Sequence, residues 1–197
     1  MSLSRQSALV LVCGTLLLTL TAVPSAQAVI LTHVVGPMDN LYNTAWLGNP
    51  FPAAIGAGLD AGSVESAGSP FDFSGYNSIS VTATGCVVDA GTACTGPDGL
   101  PPSLFRGLIV YSMIGLWSST GPSITAIGSP FFVGSAAVLP VPGGGPAYLF
   151  LGENDGIFSD NSAGHYDVTI EAVPEPGTLL LLGSGIAALS ARRRRRI

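Results

Sequence analysis

The most oxygen-rich stretch of the chain reads Glu153-Asn154-Asp155-Gly156-Ile157-Phe158-Ser159-Asp160-Asn161-Ser162-Ala163-Gly164. Asp155 and Asp160 offer carboxylates, Asn161 offers an amide, and a sharply turning backbone frees carbonyls. Calcium takes six to eight such hard oxygens at about 2.3–2.6 Å. The EF-hand spacing is absent, and Asp, Asn, Ser and Gly also build turns that hold no ligand. Both readings fit these residues. Phe158, Tyr166, Trp117 and Trp46 add ring faces that can stack on sugars when exposed and form core when buried.

Other chemistries find less support. The chain has no G-x-S-x-G elbow, so a hydrolase nucleophile lacks its signature. A phosphate-binding loop needs a lysine, and all seven basic residues are arginine. Gly56-Ala57-Gly58-Leu59-Asp60-Ala61 imitates a dinucleotide fingerprint without the strand-to-helix context that would give it meaning. His33 and His165 stand isolated in sequence, and no enzymatic activity is expected. Between Val29 and Val173 the chain carries eleven acidic residues against Arg106 alone. Phosphate neutralisation requires clustered cations, which excludes a nucleic-acid partner.

The two ends carry the most specific signals. Met1 to Ala28 combines Arg5, an apolar run and a small-residue exit at Ala26-Gln27-Ala28, the pattern of a secretory leader cut after Ala28. The other end reads Val173-Pro174-Glu175-Pro176-Gly177, then a nearly uncharged stretch to Ala191, then Arg192, Arg193, Arg194, Arg195 and Arg196 before Ile197. The apolar stretch is short for a bilayer core of about 30 Å, although snorkelling arginines extend its reach. The arginines mark its cytoplasmic end. This tail resembles the PEP-CTERM sorting signal of Gram-negative bacteria. That resemblance implies processing by an exosortase near Val173 to Pro176, passage through a single short transmembrane helix, and delivery to the cell surface or extracellular matrix. It also implies association with exopolysaccharide and biofilm. In such an oxidising compartment Cys86 and Cys94 most simply close a disulfide loop, since no further Cys or His stands near to complete a metal site.

The elements that must position these residues are strands. No segment after Val29 holds a 3.6-residue apolar repeat, whereas short β-rich runs are bounded by Gly, Pro, Asn and Ser. The predicted runs are Ile30–Val35, Tyr76–Thr84, Phe105–Trp117, Ser123–Ile127, Pro130–Val133, Tyr148–Leu151 and His165–Val173. Tyr166, Val168 and Ile170 alternate with Asp167, Thr169 and Glu171, which buries one face and wets the other. The fold expected is all-β, a two-sheet sandwich or jelly roll. The organisation expected is a signal peptide at 1–28, a β-sandwich domain at 29–172 and a sorting segment at 173–197.

The run from Asn154-Asp155-Gly156 through Asn161-Ser162 and Gly164 into an alternating strand is similar to the calcium loop of the small bacterial galactose-binding lectins. The resemblance implies a metal held by Asp155, by Asp160 and Asn161 in place of an Asn pair, and by the carbonyls of Thr95 and Ile157. The departures are a shorter loop, Asp160 for the first Asn, an inserted Ala163, and no counterpart of the family's sugar-contacting His. Two functions follow: a calcium-stabilised module associated with extracellular polysaccharide, or a structural matrix component in which the loop is only a turn.

Overall fold

Serine and threonine alternate with isoleucine, valine and alanine from Ser78 to Thr84, a period of two that only a half-buried strand satisfies. In the computed structural model, which describes residues 28–42, 59–89 and 93–174, this run lies within the longest strand. The leader with Ala26, the tail from Glu175 through Pro176 to Arg192–Arg196 with the helix expected in it, and Trp46 lie outside the described residues. Among the described residues no helix is long and apolar enough to cross a membrane.

The strands in chain order are β1 (Val29–Val35), β2 (Asp39–Asn40), β3 (Leu59–Asp60), β4 (Glu65–Ser66), β5 (Ser69–Pro70), β6 (Ser78–Asp89) and β7 (Ala93–Thr95). They continue as β8 (Leu104–Phe105), β9 (Leu108–Ile109), β10 (Met113–Ser118), β11 (Ala126–Phe132), β12 (Ala136–Pro140), β13 (Tyr148–Glu153) and β14 (Ala163–Ala172). The larger sheet has the order β1-β14-β6-β12, with β7 also paired to β6. The smaller has the order β11-β10-β13. Residues 28–174 form one compact unit.

One core joins the two sheets. Val35, Ile79, Val81, Val87, Val168 and Ile170 of the larger sheet pack with Met113, Trp117, Leu149 and Leu151 of the smaller one. On β14, Tyr166, Val168, Ile170 and Ala172 are buried while Asp167, Thr169 and Glu171 are exposed, which is the alternation the sequence predicts. The smaller sheet is apolar on both faces. Ile114 and Leu116 of β10 and Phe150 of β13 point away from the main core into a second cluster with Leu41, Tyr42 and Ala61. A strand covered on both sides needs no alternation, so Met113–Ser118 reads as one continuous apolar run.

The predicted boundaries shift where glycine is misread as punctuation. The run ending at Thr84 continues to Asp89, because Gly85 at φ 92 sits within the strand and a side chain there would strike the His165 carbonyl. Phe105–Trp117 is not one strand. Arg106 and Gly107 both have positive φ and turn the chain into the β8–β9 hairpin before β10 begins. Ser123–Ile127 and Pro130–Val133 merge instead into β11, whose pairing with β10 shifts register between Gly115 and Trp117. The edge strand β12 escapes prediction because only Leu139 of its five residues is buried.

The strand pairing also fixes where the chain enters and leaves. Val29 is the partner of Ala172 and Val35 of Tyr166, so β1 begins where β14 ends. Gly164 lies in β14 opposite Val87 at φ 90, and a Cβ there would collide with the Cys86 carbonyl. Gly164→Ala is expected to destabilise the domain by about 2 kcal/mol or more, whereas Gly143→Ala, in open space, should change it by less than about 0.5 kcal/mol. Chemical denaturation of the two variants checks the contrast.

Candidate functional site

The alternation that builds the core also carries carboxylates into it. On β6 the inward residues run Ile79, Val81, Ala83 and Val87, and the next residue of that phase is Asp89, only 4% exposed. On β13 Leu149 and Leu151 point to the same core, and the next residue of their phase is Glu153, with no exposed surface. The two acids therefore come from opposite sheets, and Asp89 stands among the groups that press on Glu153. The chain then turns, and Asp155 is buried beside them.

Each polar neighbour is positioned by a local bond. Asp155 Oδ1 accepts the backbone N–H groups of Gly156 and Ile157, an Asx-type turn that ends β13. Asn161 Nδ2 donates to Glu153 Oε2 at 3.0 Å and to the Pro37 carbonyl at 2.8 Å, which ties the loop after β1 to the acids. Asn154 points the other way. Its amide donates to the carbonyls of Phe105, Leu108 and Ile109, and its oxygen accepts the Tyr42 hydroxyl at 2.6 Å, so it clamps the β8–β9 hairpin. Tyr166 is fully buried on β14, and its hydroxyl donates to the Tyr111 carbonyl at 3.1 Å and, at longer range, to that of Thr95.

Five buried oxygens in this neighbourhood have no hydrogen-bond donor: both of Asp89, Oε1 of Glu153, Oδ2 of Asp155 and Oδ1 of Asn161. Desolvation, with Asp89 and Asp155 nearby, pushes the Glu153 carboxyl up to about 11. Burial also raises Asp155, against the pull of its two backbone N–H groups and of the Asn161 side chain. Burial raises the Tyr166 phenol, reinforced by Glu153 and Asp89. Negative potential collects here, and burial makes it expensive.

Of the residues predicted to hold a metal, Asp155 and Asn161 fall within this cluster. Asp160 is exposed, because the 3₁₀ turn Phe158–Asp160 turns Phe158 into the interior and leaves Asp160 in solvent. Ile157 is 44% exposed and offers Asp155 its N–H. The Thr95 carbonyl faces the Tyr166 hydroxyl. Asp89 and Glu153 were missed as site residues, although their signal is legible: each is a carboxylate on the apolar phase of an alternating strand. Cys86 and Cys94 form a disulfide across the β6–β7 hairpin, three positions from Asp89.

Trp117, Phe158 and Tyr166 are all buried, so of the two roles open to these rings the structure shows core. Trp117 instead packs edge-on against Phe73 with ring centroids 5.8 Å apart. His165 lies on the surface beside Asp167 at 3.4 Å, and burial lowers the His33 pKa.

The Glu153 shift sets a pH dependence. Folded Glu153 keeps its proton where the same group in the unfolded chain has lost it, so the folded state binds more protons. In chelator, folding stability should therefore fall as pH rises above about 5, by up to about 1.4 kcal/mol per pH unit. Glu153→Gln should flatten that slope, as followed by thermal melts between pH 5 and 8.

No curated protein matches the chain. The family model of the PEP-CTERM protein-sorting motif matches residues 172–196, beginning at the last residue of β14. The chain thus carries a PEP-CTERM sorting motif from the last residue of β14 onward, which supports an exported protein processed by an exosortase at the cell envelope or surface.

Proposed function

We propose that the chain is a structural, non-enzymatic component of the cell surface or extracellular matrix of a Gram-negative bacterium, stabilised by calcium and associated with exopolysaccharide. One observation carries the reading. The folded unit begins at β1 and ends at β14 with Val29 opposite Ala172, so it is complete between the two expected cuts, after Ala28 and near Val173 to Pro176. Val173 is 54% exposed, which leaves the start of the sorting segment accessible beside the sheet. Both targeting segments can then be removed without breaking a strand.

The interior position of Trp117, Phe158 and Tyr166 favours a structural role over a lectin-like one, since these rings form core. Association with polymer would then rest on the acidic surface and on cations shared with acidic sugars. Exosortase is the processing partner, and the membrane is met only through the tail before cleavage.

Mass spectrometry of the protein recovered from the matrix should give an N-terminus at Val29 and a C-terminus between Val173 and Glu175. A full-length chain in the cytosol would contradict the proposal. Galactose should give no heat in isothermal titration, whereas specific, saturable binding would favour a lectin. A chain ending at Val173 should melt within about 3 °C of the longer one, since no core residue is lost.

A further inference from the structure

We propose that a divalent cation of the calcium type is held at one end of the sandwich by Asp89, Glu153, Asp155 and Asn161. This deepens the calcium reading above by replacing Asp160 and the carbonyls of Thr95 and Ile157 with two strand residues, Asp89 and Glu153, from the two sheets.

The first observation is the set of five oxygens on four residues that find no donor while buried. A carboxylate that leaves water needs hydrogen bonds, a cation or a proton. Asp89 is 4% exposed and has none of the first on either oxygen. The local donors are already committed: the Asn161 amide N–H groups go to Glu153 and Pro37, those of Gly156 and Ile157 to the other oxygen of Asp155, and the Tyr166 hydroxyl to carbonyls. With its N–H groups so placed, Asn161 has its oxygen left over.

The second observation is how firmly the acids are delivered. Asp89 closes a strand paired on both sides, to β14 as far as Val88 and to β7 from Val87 to Asp89, with the Cys86–Cys94 disulfide beside it. Glu153 pairs with Met113 in the smaller sheet. Neither acid can swing to solvent without breaking ladder pairs, so the charge must be neutralised in place.

The donor chemistry selects the ion. All the free atoms are carboxylate or amide oxygens, which suit calcium better than zinc or copper. Among the described residues, no three His, Cys, Asp or Glu side chains form a cage on their own. Asp89, Glu153 and Asp155 would therefore draw in around the ion only on binding, with Asn161 and water completing the shell. Calcium tolerates such irregular sets, whereas magnesium demands a near-ideal octahedron.

The test is thermal unfolding of the mature protein in chelator and in calcium at about 1 mM, within the range extracellular sites use. Calcium should raise Tm by roughly 5 °C or more. Asp89→Asn and Glu153→Gln each keep the side-chain shape and remove a carboxylate that could ligate the ion, so both should fold in chelator about as well as the parent and lose the calcium response. Asp160→Asn should keep it. Isothermal titration of the unaltered protein gives a readout that needs no variant, with one saturable event expected for calcium. If Asp160→Asn abolishes the response while Asp89→Asn and Glu153→Gln retain it, the ligand set is overturned and calcium stabilisation stands. If calcium neither binds nor moves the Tm of the unaltered protein, both readings fall and protons neutralise the cluster.

Discussion

A carboxylate cannot be both buried and ionised without something to balance it, and this domain places Asp89, Glu153 and Asp155 in that position at one end of its core. The strands that put them there are the same ones that supply the hydrophobic stabilisation. Val87 and Asp89 share one face of β6, and Leu151 and Glu153 share one face of β13, so the acids could be turned outward only by slipping a whole strand through one residue. Such a slip would expose Ile79, Val81 and Leu149 as well. The apolar core thus holds the polar site in register, and whatever neutralises the site closes that end of the core.

The two ends of the sandwich do different work. At one end Val29 meets Ala172, and the chain enters and leaves beside the boundary of the sorting motif. At the other, Val35 meets Tyr166, whose buried hydroxyl bonds the Tyr111 carbonyl and whose phenol lies within the field of Glu153 and Asp89. Processing at the first end leaves the second untouched. The acids sit where trimming either terminus takes nothing from them.

Much of this was legible in the chain. The alternation of β14 and of the first half of β6 reads directly as half-buried strand, and Pro174-Glu175-Pro176 with the arginine block carries its own specificity. The loop from Asp155 to Asn161 reads as a concentration of oxygen, but which oxygens turn inward depends on the 3₁₀ turn that buries Phe158 and leaves Asp160 in solvent. Glycine inside a strand hides the strand's continuity. Gly85 and Gly128 look like breaks in a one-dimensional pattern, yet both lie within strands, and Gly85 is needed because β14 approaches too closely for a side chain. The second cluster around Leu41, Ile114 and Phe150 was hidden because a strand buried on both faces has no alternation to read. Asp89 lay in plain view as the inward phase of β6, but its partner Glu153 is 64 residues away and only the pairing of two sheets brings them together.

The measurement that bears most directly on the buried acids is anomalous diffraction from a crystal of the mature domain grown in calcium or terbium. A single strong peak is expected within about 2.6 Å of oxygens from both Asp89 and Glu153. A domain with the same fold and no peak there, with the two carboxyls instead joined by a short proton-sharing hydrogen bond, would contradict it.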